Sequence, residues 1–156
     1  MRTLFLFASI IVASGLLLTN MYVSIVDAVS WGSDIPNYIA VAREYYKVVN
    51  PGIFFRMFSP LNQVLGLIVL ILFWKTTPAI RWSVAAALIF YVLADVLTFA
   101  FFYPRNDILF SSTALTEVDK LQKTWSEWTS MNWVRSLIGF LGLVCSCWGL
   151  NGYLRK

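Results

Sequence analysis

Two side chains of opposite charge, Asp95 and Arg135, lie within or beside apolar stretches of this 156-residue chain. An ionisable side chain in a membrane span costs roughly 2.5–3.5 kcal/mol on insertion scales, so each is a candidate functional residue. At about 1.5 Å of rise per residue, Asp95 lies roughly 12 Å before the end of its stretch and Arg135 roughly 5 Å after the start of its own. We therefore expect an Asp95–Arg135 ion pair that faces the interior of a helix bundle.

Amide side chains occur at the same depth as this pair in the other apolar stretches. The residues expected to line a common cavity are Asn20, Asn62, Gln63, Asp95, Asn132 and Arg135. Three interpretations are open. The polar groups specify which helices pack together, or they form a pocket for the polar head of a mostly apolar molecule. A proton or ion route is the third, and it is disfavoured because few polar residues continue through the other half of the spans.

The residues that are absent exclude several kinds of chemistry. The chain has no His, which removes His-ligated metal centres and the usual general base near neutral pH. Its two cysteines, Cys145 and Cys147, would point to different sides of an apolar helix, so they offer neither a disulfide nor a C-x-x-C redox pair. No glycine-rich phosphate loop is present. The sequence therefore predicts no metal, no cofactor and no nucleic-acid partner.

The composition is that of an integral membrane protein. Hydrophobic residues make up 59% of the chain and charged residues 13%, whereas soluble domains carry about 25% charged residues. Four stretches, about 4–26, 58–74, 82–103 and 132–154, approach the roughly 20 apolar residues that span a bilayer. The prediction is an all-α four-helix membrane bundle, one domain over 1–156, with an uncleaved first span.

The distribution of basic residues predicts the orientation. Both termini and the short connection between the second and third spans hold basic residues and no acidic ones: Arg2, Lys75, Arg81, Arg155 and Lys156. The longer connections, about 27–57 and 104–131, mix both signs of charge. We therefore expect a plasma (bacterial inner) membrane protein that has the lipid bilayer around it and both termini in the cytoplasm. The net charge of +4 follows largely from this topology.

The two long connections look ordered and are predicted to form a helical extracytoplasmic cap. Residues 36–49 have the pattern of an amphipathic helix, and one helix is expected from about 116 to 154. Trp125 and Trp128 share the inward stripe of that long helix, either as core of the cap or as a wall of the pocket. Gly139, Gly142 and Gly149 form a small-residue face that can pack against another helix, including one of a second copy or a membrane partner.

Two short motifs resemble those of the small membrane family named after fungal and bacterial anthrone oxygenases. Pro104-Arg105-Asn106 is similar to the family's Pro-x-Asn after the third span. Trp128-x-x-x-Asn132-x-x-Arg135 is similar to its Trp…His/Asn…Arg at the entry to the fourth. The resemblance implies a four-helix bundle. It also implies, for a few members, oxidation of anthrones to anthraquinones by molecular oxygen without metal or flavin.

The resemblance further implies roles for individual residues. Arg135 would stabilise a phenolate or enolate, Asn132 would donate a hydrogen bond and Asn106 would hold the outer rim. The assignment of Asp95 as base is ours and does not come from the motif. Asn132 stands where other members have His, which leaves open whether the chain is an enzyme. The hypotheses are binding of a small amphipathic molecule, with or without its oxidation, and a non-enzymatic protein that docks a membrane partner.

Overall fold

The computed structural model describes residues 1–112 and 114–155, which are 88% helical and contain no strand. Lys156, part of the predicted C-terminal charge, lies outside the described residues. We number the helices as follows: α1 Arg2–Gly32, α2 Asn37–Tyr45, α3 Pro51–Phe73, α4 Pro78–Ser111 and α5 Val118–Leu154. All of these except α2 are long and apolar enough to cross a membrane, so the chain is an integral membrane protein.

The four long helices form a closed, antiparallel ring. Helix α1 packs against α3 and α5, and α4 packs against the same two helices from the opposite side. Both termini and the α3–α4 connection therefore lie at one end, which we call the far side. Helix α2 lies at the other end, the cap side. The prediction of an all-α four-span bundle is confirmed.

Three of the long helices extend further towards the cap than the hydropathy pattern predicts. Helix α1 continues to Gly32, and α3 begins at Pro51, before the predicted start of the second span near residue 58. Proline suits a first helical position, because the N–H it lacks would have no partner there. Helix α4 continues through Pro104, which stands at the start of a new α-helical segment after a π turn.

Three π turns occur within the described parts of α1 and α4, all on the cap side. They comprise Val23–Asp27, Thr98–Phe102 and Ile108–Ser112. A π turn accommodates one additional residue and changes the direction in which the following side chains point. The first two flank the level at which the polar side chains meet.

The cap is an ordered aromatic layer built from α2, the ends of α1 and α4, and the cap-side half of α5. Ile39 and Ala42 on α2 are buried in it, in agreement with the predicted amphipathic pattern. The Trp31 ring is in edge contact with Trp128 at 5.5 Å and with Phe110 at 4.9 Å between centroids. Helix α5 is continuous from cap to far side, as predicted.

Two glycines of the small-residue face of α5 pack against α4 of the same chain, whereas Gly139 lies near Leu17 of α1. A Cβ atom added to Gly142 would lie 2.6 Å from Cε1 of Tyr91, and one added to Gly149 would lie 3.0 Å from Cγ1 of Val84. These glycines let the two helices approach closely. The part of the face at Gly142 and Gly149 is thus occupied within the bundle.

Gly142→Ala is expected to lower the free energy of unfolding by about 1–3 kcal/mol, because the added methyl group overlaps the buried Tyr91 ring. The measurement is unfolding of the solubilised protein by a denaturing detergent. Gly15→Ala is the matched control, since its Cβ meets nothing within 4 Å. Equal stability of the two variants would contradict the close α4–α5 packing.

Candidate ligand cavity and its arginine site

A cavity of about 1080 Å³ lies in the cap-side half of the bundle and is lined by all four long helices. Its floor is apolar and includes Leu16, Leu17 and Gly139. Its middle level carries the polar side chains, and its roof is formed by the aromatic rings of the cap. A cavity of this size and polarity can hold an amphipathic molecule larger than a single ring.

Arg135, from α5, places its guanidinium at the middle level. Its Nη2 atom donates to Oδ1 of Asn20 and to Oδ1 of Asn132, both at 2.5 Å, and Nη1 donates to Oγ1 of Thr98 at 3.3 Å. The guanidinium also lies 4.1 Å from the ring centre of Phe102. We call Arg135 and its three acceptors the arginine site. These acceptors are neutral, so they orient the cation without neutralising it.

Asn20 and Asn132 hold α1 and α5 together by reciprocal hydrogen bonds. The Asn20 amide donates to Oγ of Ser136 at 2.7 Å, and the Asn132 amide donates to Oγ of Ser24 at 2.6 Å. Each amide also donates to the other's backbone carbonyl, at 3.3 and 3.4 Å. All four side chains are buried. This amide clasp fixes both asparagine oxygens towards Arg135.

Asp95, from α4, is held by α3 and not by Arg135. Its two carboxylate oxygens accept hydrogen bonds from the hydroxyl of Ser59 and the amide of Gln63. Among the described residues, Asp95 and Arg135 form no salt bridge with any partner, so the expected direct ion pair is absent. The two charges do interact electrostatically. The arginine side chain is instead directed towards the amide oxygens of Asn20 and Asn132.

Two buried polar atoms at the polar level have no hydrogen-bond partner. They are Nε of Arg135, a donor, and Oδ1 of Asn62, an acceptor, and both residues line the cavity. An unsatisfied buried polar group costs about 1–3 kcal/mol. A bound molecule that offers one acceptor and one donor would satisfy both.

The roof of the cavity contains further polar contacts. Nε1 of Trp128 donates to Oδ1 of Asn106 at 2.7 Å, which fixes two of the predicted site residues to each other. The hydroxyl of Tyr46 donates to Oδ2 of Asp27 at 3.3 Å. Burial, together with the nearby Asp27 charge, raises the pKa of Tyr46 above its ordinary value. This phenol is therefore a neutral hydrogen-bond donor at physiological pH.

The structure brings most of the predicted site residues to one cavity. Those that line it are Asn20, Asn62, Gln63, Asp95, Asn106, Trp128 and Arg135. Asn132 does not line it, because its amide is used in the clasp. Trp125 does not line it either. Its ring lies over Gly32 and its Nε1 donates to the carbonyl oxygen of Ala28 at 2.7 Å, so it is core of the cap.

Three residues that the sequence reasoning left out also shape the site. Ser136 accepts from Asn20, and the Phe55 and Phe102 rings lie on the guanidinium of Arg135. The signal for Ser136 is its position one helical turn after Asn132. Nothing in the spacing of the two phenylalanines indicates which helix face they share with the arginine.

No group of three His, Cys, Asp or Glu side chains that could hold a metal ion occurs in the part of the chain that the structure describes. The donor set at the cavity consists of amides, hydroxyls, one carboxylate and a guanidinium. This set suits an oxygen-rich organic molecule better than a transition metal.

Fold and site together define a four-span membrane protein with a cap-side cavity around a half-buried arginine. Residues 51–145, more than half of the chain, match the sequence profile described as anthrone oxygenase. The chain belongs to the anthrone oxygenase family. Comparison with curated proteins and with solved structures gives no match.

Proposed function

We propose that the cavity binds a small aromatic amphipathic molecule with an ionisable phenol or ketone, and oxidises it with molecular oxygen without a cofactor. The observation that carries the proposal is the arginine site, a cation that lines the cavity and whose own hydrogen-bond acceptors are all neutral. A ligand oxyanion would give this cation a directly hydrogen-bonded anion, which Asp95 does not provide. Membership of the family supports the same chemistry.

An anthrone-type molecule fits the unsatisfied atoms of the cavity. Its ketone oxygen can accept from Nε of Arg135, and a ring hydroxyl can donate to Oδ1 of Asn62. Asp95 has the role of base. The carboxylate can accept about four hydrogen bonds and two come from Ser59 and Gln63, so it retains the capacity to accept a proton.

The reaction balances without an added oxidant other than oxygen. Asp95 accepts one proton from the ring methylene, and Arg135 stabilises the resulting enolate oxygen. The enolate carbon is oxidised by O₂ and bonds to it, and the proton on Asp95 returns to the distal peroxide oxygen. The second methylene proton is then removed as the O–O bond breaks. The distal oxygen leaves as hydroxide and takes up this proton to give water, and the proximal oxygen stays on carbon as the new carbonyl group. The organic molecule loses four electrons, which reduce O₂.

The charge distribution supports an orientation for this reaction. We place the chain in a plasma (bacterial inner) membrane with the far side, which carries Arg2, Lys75, Arg81 and Arg155, in the cytoplasm. The cap and the cavity then lie on the extracytoplasmic side. Asn132 acts as a positioning residue for Arg135 in this proposal rather than as a donor to the substrate.

Oxygen consumption by the protein in lipid nanodiscs, with 1,8-dihydroxyanthrone as probe, tests the proposal. Asp95→Asn is expected to slow oxygen uptake by about 100-fold, because loss of a general base typically costs 10²–10⁴-fold. Probe binding should remain, because Asp95 is not assigned to binding. Asp119→Asn, an exposed position on α5, is the matched control, and protein-free nanodiscs give the rate of spontaneous oxidation.

Equal oxygen uptake by wild type and Asp95→Asn would contradict the assigned base. Absence of both probe binding and oxygen uptake in the wild type would contradict the proposed function. That result would favour the non-enzymatic alternative, in which a partner docks on the cap. The cap offers an exposed apolar surface for this at Tyr45, Val48 and Val49.

A further inference from the structure

Helices α3 and α4 separate towards the cap. Up to Leu97, α4 packs against α3, but from Thr98 onwards the described part of α4 makes its main contacts with α5 and α2. Within α3, Pro60 has no backbone N–H and so removes one helical hydrogen bond, a common cause of bending away from a neighbour. A gap is therefore left between the cap-side parts of the two helices.

The cavity reaches the surface of the bundle through this gap. Pro60 on α3 and Phe99 and Tyr103 on α4 line the cavity, and all three are exposed, Phe99 at 63%. A side chain that is both part of the lining and exposed marks the edge of an opening. The packed rings of Trp31, Tyr46 and Phe110 cover the middle of the roof. At its rim the exposed lining residues Lys47, Asn50 and Asp107 continue the opening towards the cap-side surface.

The lower part of the gap lies at the depth of the membrane. At about 1.5 Å of rise per residue, Pro60 lies about 20 Å and Phe99 about 32 Å from the far-side ends of their helices, Phe73 and Pro78. The apolar core of a bilayer is about 30 Å thick. The Pro60 edge of the gap therefore lies in the cap-side half of the apolar core, and the Phe99 edge lies at its cap-side boundary. Arg56, exposed and also lining the cavity, stands near that surface, where its guanidinium can reach lipid head groups.

We propose that this gap is a lateral portal through which the ligand enters the cavity from the cap-side lipid leaflet. The ligand is then a membrane-dissolved amphiphile, whose polar end moves inwards to the arginine site while its apolar part passes between Pro60 and Phe99. The identity of the ligand rests on the proposed function. The portal itself does not, because it can be tested with a reagent that is not a substrate.

The test measures how fast a thiol on the cavity floor reacts in liposomes. Gly139→Cys supplies the thiol, and the space is sufficient because a Cβ there lies 3.8 Å from Cδ1 of Leu17. The native thiols are removed as Cys145→Ala and Cys147→Ala. Membrane-soluble N-(1-pyrenyl)maleimide is compared with a water-soluble, sulfonated methanethiosulfonate. Tyr45→Cys, exposed on the cap, provides the reference rate for each reagent in water.

Variants of Phe99 change the width of the portal in both directions. With pyrenylmaleimide, Phe99→Ala should accelerate labelling of the floor thiol several-fold and Phe99→Trp should slow it several-fold. Phe140→Ala and Phe140→Trp are the matched controls, because Phe140 is exposed on α5 but does not line the cavity, and they should leave the rate unchanged. The sulfonated reagent should label the floor thiol far more slowly than Tyr45→Cys.

Two results would overturn the portal. One is a pyrenylmaleimide rate that does not depend on residue 99. The other is labelling by the sulfonated reagent as fast as at Tyr45→Cys, which would show entry from water. Either result leaves the proposed oxidation intact, since no substrate takes part in the labelling. Detergent unfolding of each variant confirms that the rates compare equally folded proteins.

Discussion

Arg135→Gln is expected to weaken binding of 1,8-dihydroxyanthrone by about 10- to 100-fold, because a hydrogen bond to a charged group contributes about 1.5–3 kcal/mol. The oxygen uptake should fall further than the binding. A ketone oxygen gains negative charge when the enolate forms, so the arginine acts more strongly on the enolate than on the bound substrate. Binding is measured by titration of the protein in nanodiscs, and turnover with an oxygen electrode.

Arg105→Gln is the matched control for this experiment. Arg105 forms its ion pair with Glu127 at 2.8 Å and does not line the cavity, so binding and turnover should stay close to wild type. Arg135→Lys keeps the positive charge and removes the planar guanidinium. The guanidinium of Arg135 reaches both asparagine oxygens while its Nε remains free for the ligand, and a single ammonium group cannot do both. Wild-type affinity in Arg135→Gln would contradict the arginine site as the binding site.

Asn132→Leu is expected to lower the free energy of unfolding by about 2–4 kcal/mol. The substitution breaks the hydrogen bonds of Asn132 with Ser24, Asn20 and Arg135. Single interhelical hydrogen bonds in membranes contribute about 0.6 kcal/mol on average and up to about 1.7. The loss is larger here because the buried partners are left unsatisfied.

Unfolding in a denaturing detergent, followed by circular dichroism, measures this effect. Asn151→Leu is the control on the same helix: Asn151 is exposed near the far side and accepts only from Arg155 in the described hydrogen bonds. Its stability should remain near that of wild type. An Asn132→Leu protein as stable as Asn151→Leu would show that the clasp contributes little to holding α1 against α5.

The level of the polar side chains along the bundle could be predicted from the sequence, but their pairing could not. Hydropathy gives the depth of a residue in a span, which is why Asp95, Asn20 and Arg135 were expected together. Depth does not give the rotation of a helix about its axis. Arg135 is directed towards α1 by Asn132, one turn earlier on the same helix, so it reaches Asn20 instead of Asp95.

The π turns explain why the helix ends and the role of Trp125 were harder to predict. A 3.6-residue pattern continues in phase only while the helix is regular. The turn over Val23–Asp27 shifts that phase before Ala28, whose carbonyl oxygen receives the Trp125 N–H. Trp128, three residues later on the same stripe, meets Asn106 at the roof instead. Two residues of the same helical stripe therefore lie in different places, Trp125 in the core of the cap and Trp128 in the roof of the cavity.

The amide clasp has a consequence for the order of assembly during synthesis. Asn20 and Asn132 are separated by 112 positions in the chain, which at about 5–20 residues per second takes about 6–20 seconds to translate. Over that interval α1 has been made, and the Asn20 side chain has no native partner. Water, lipid head groups or the insertion machinery must satisfy this amide until α5 arrives. Closure of the ring between α1 and α5 therefore waits until α5 has been synthesised.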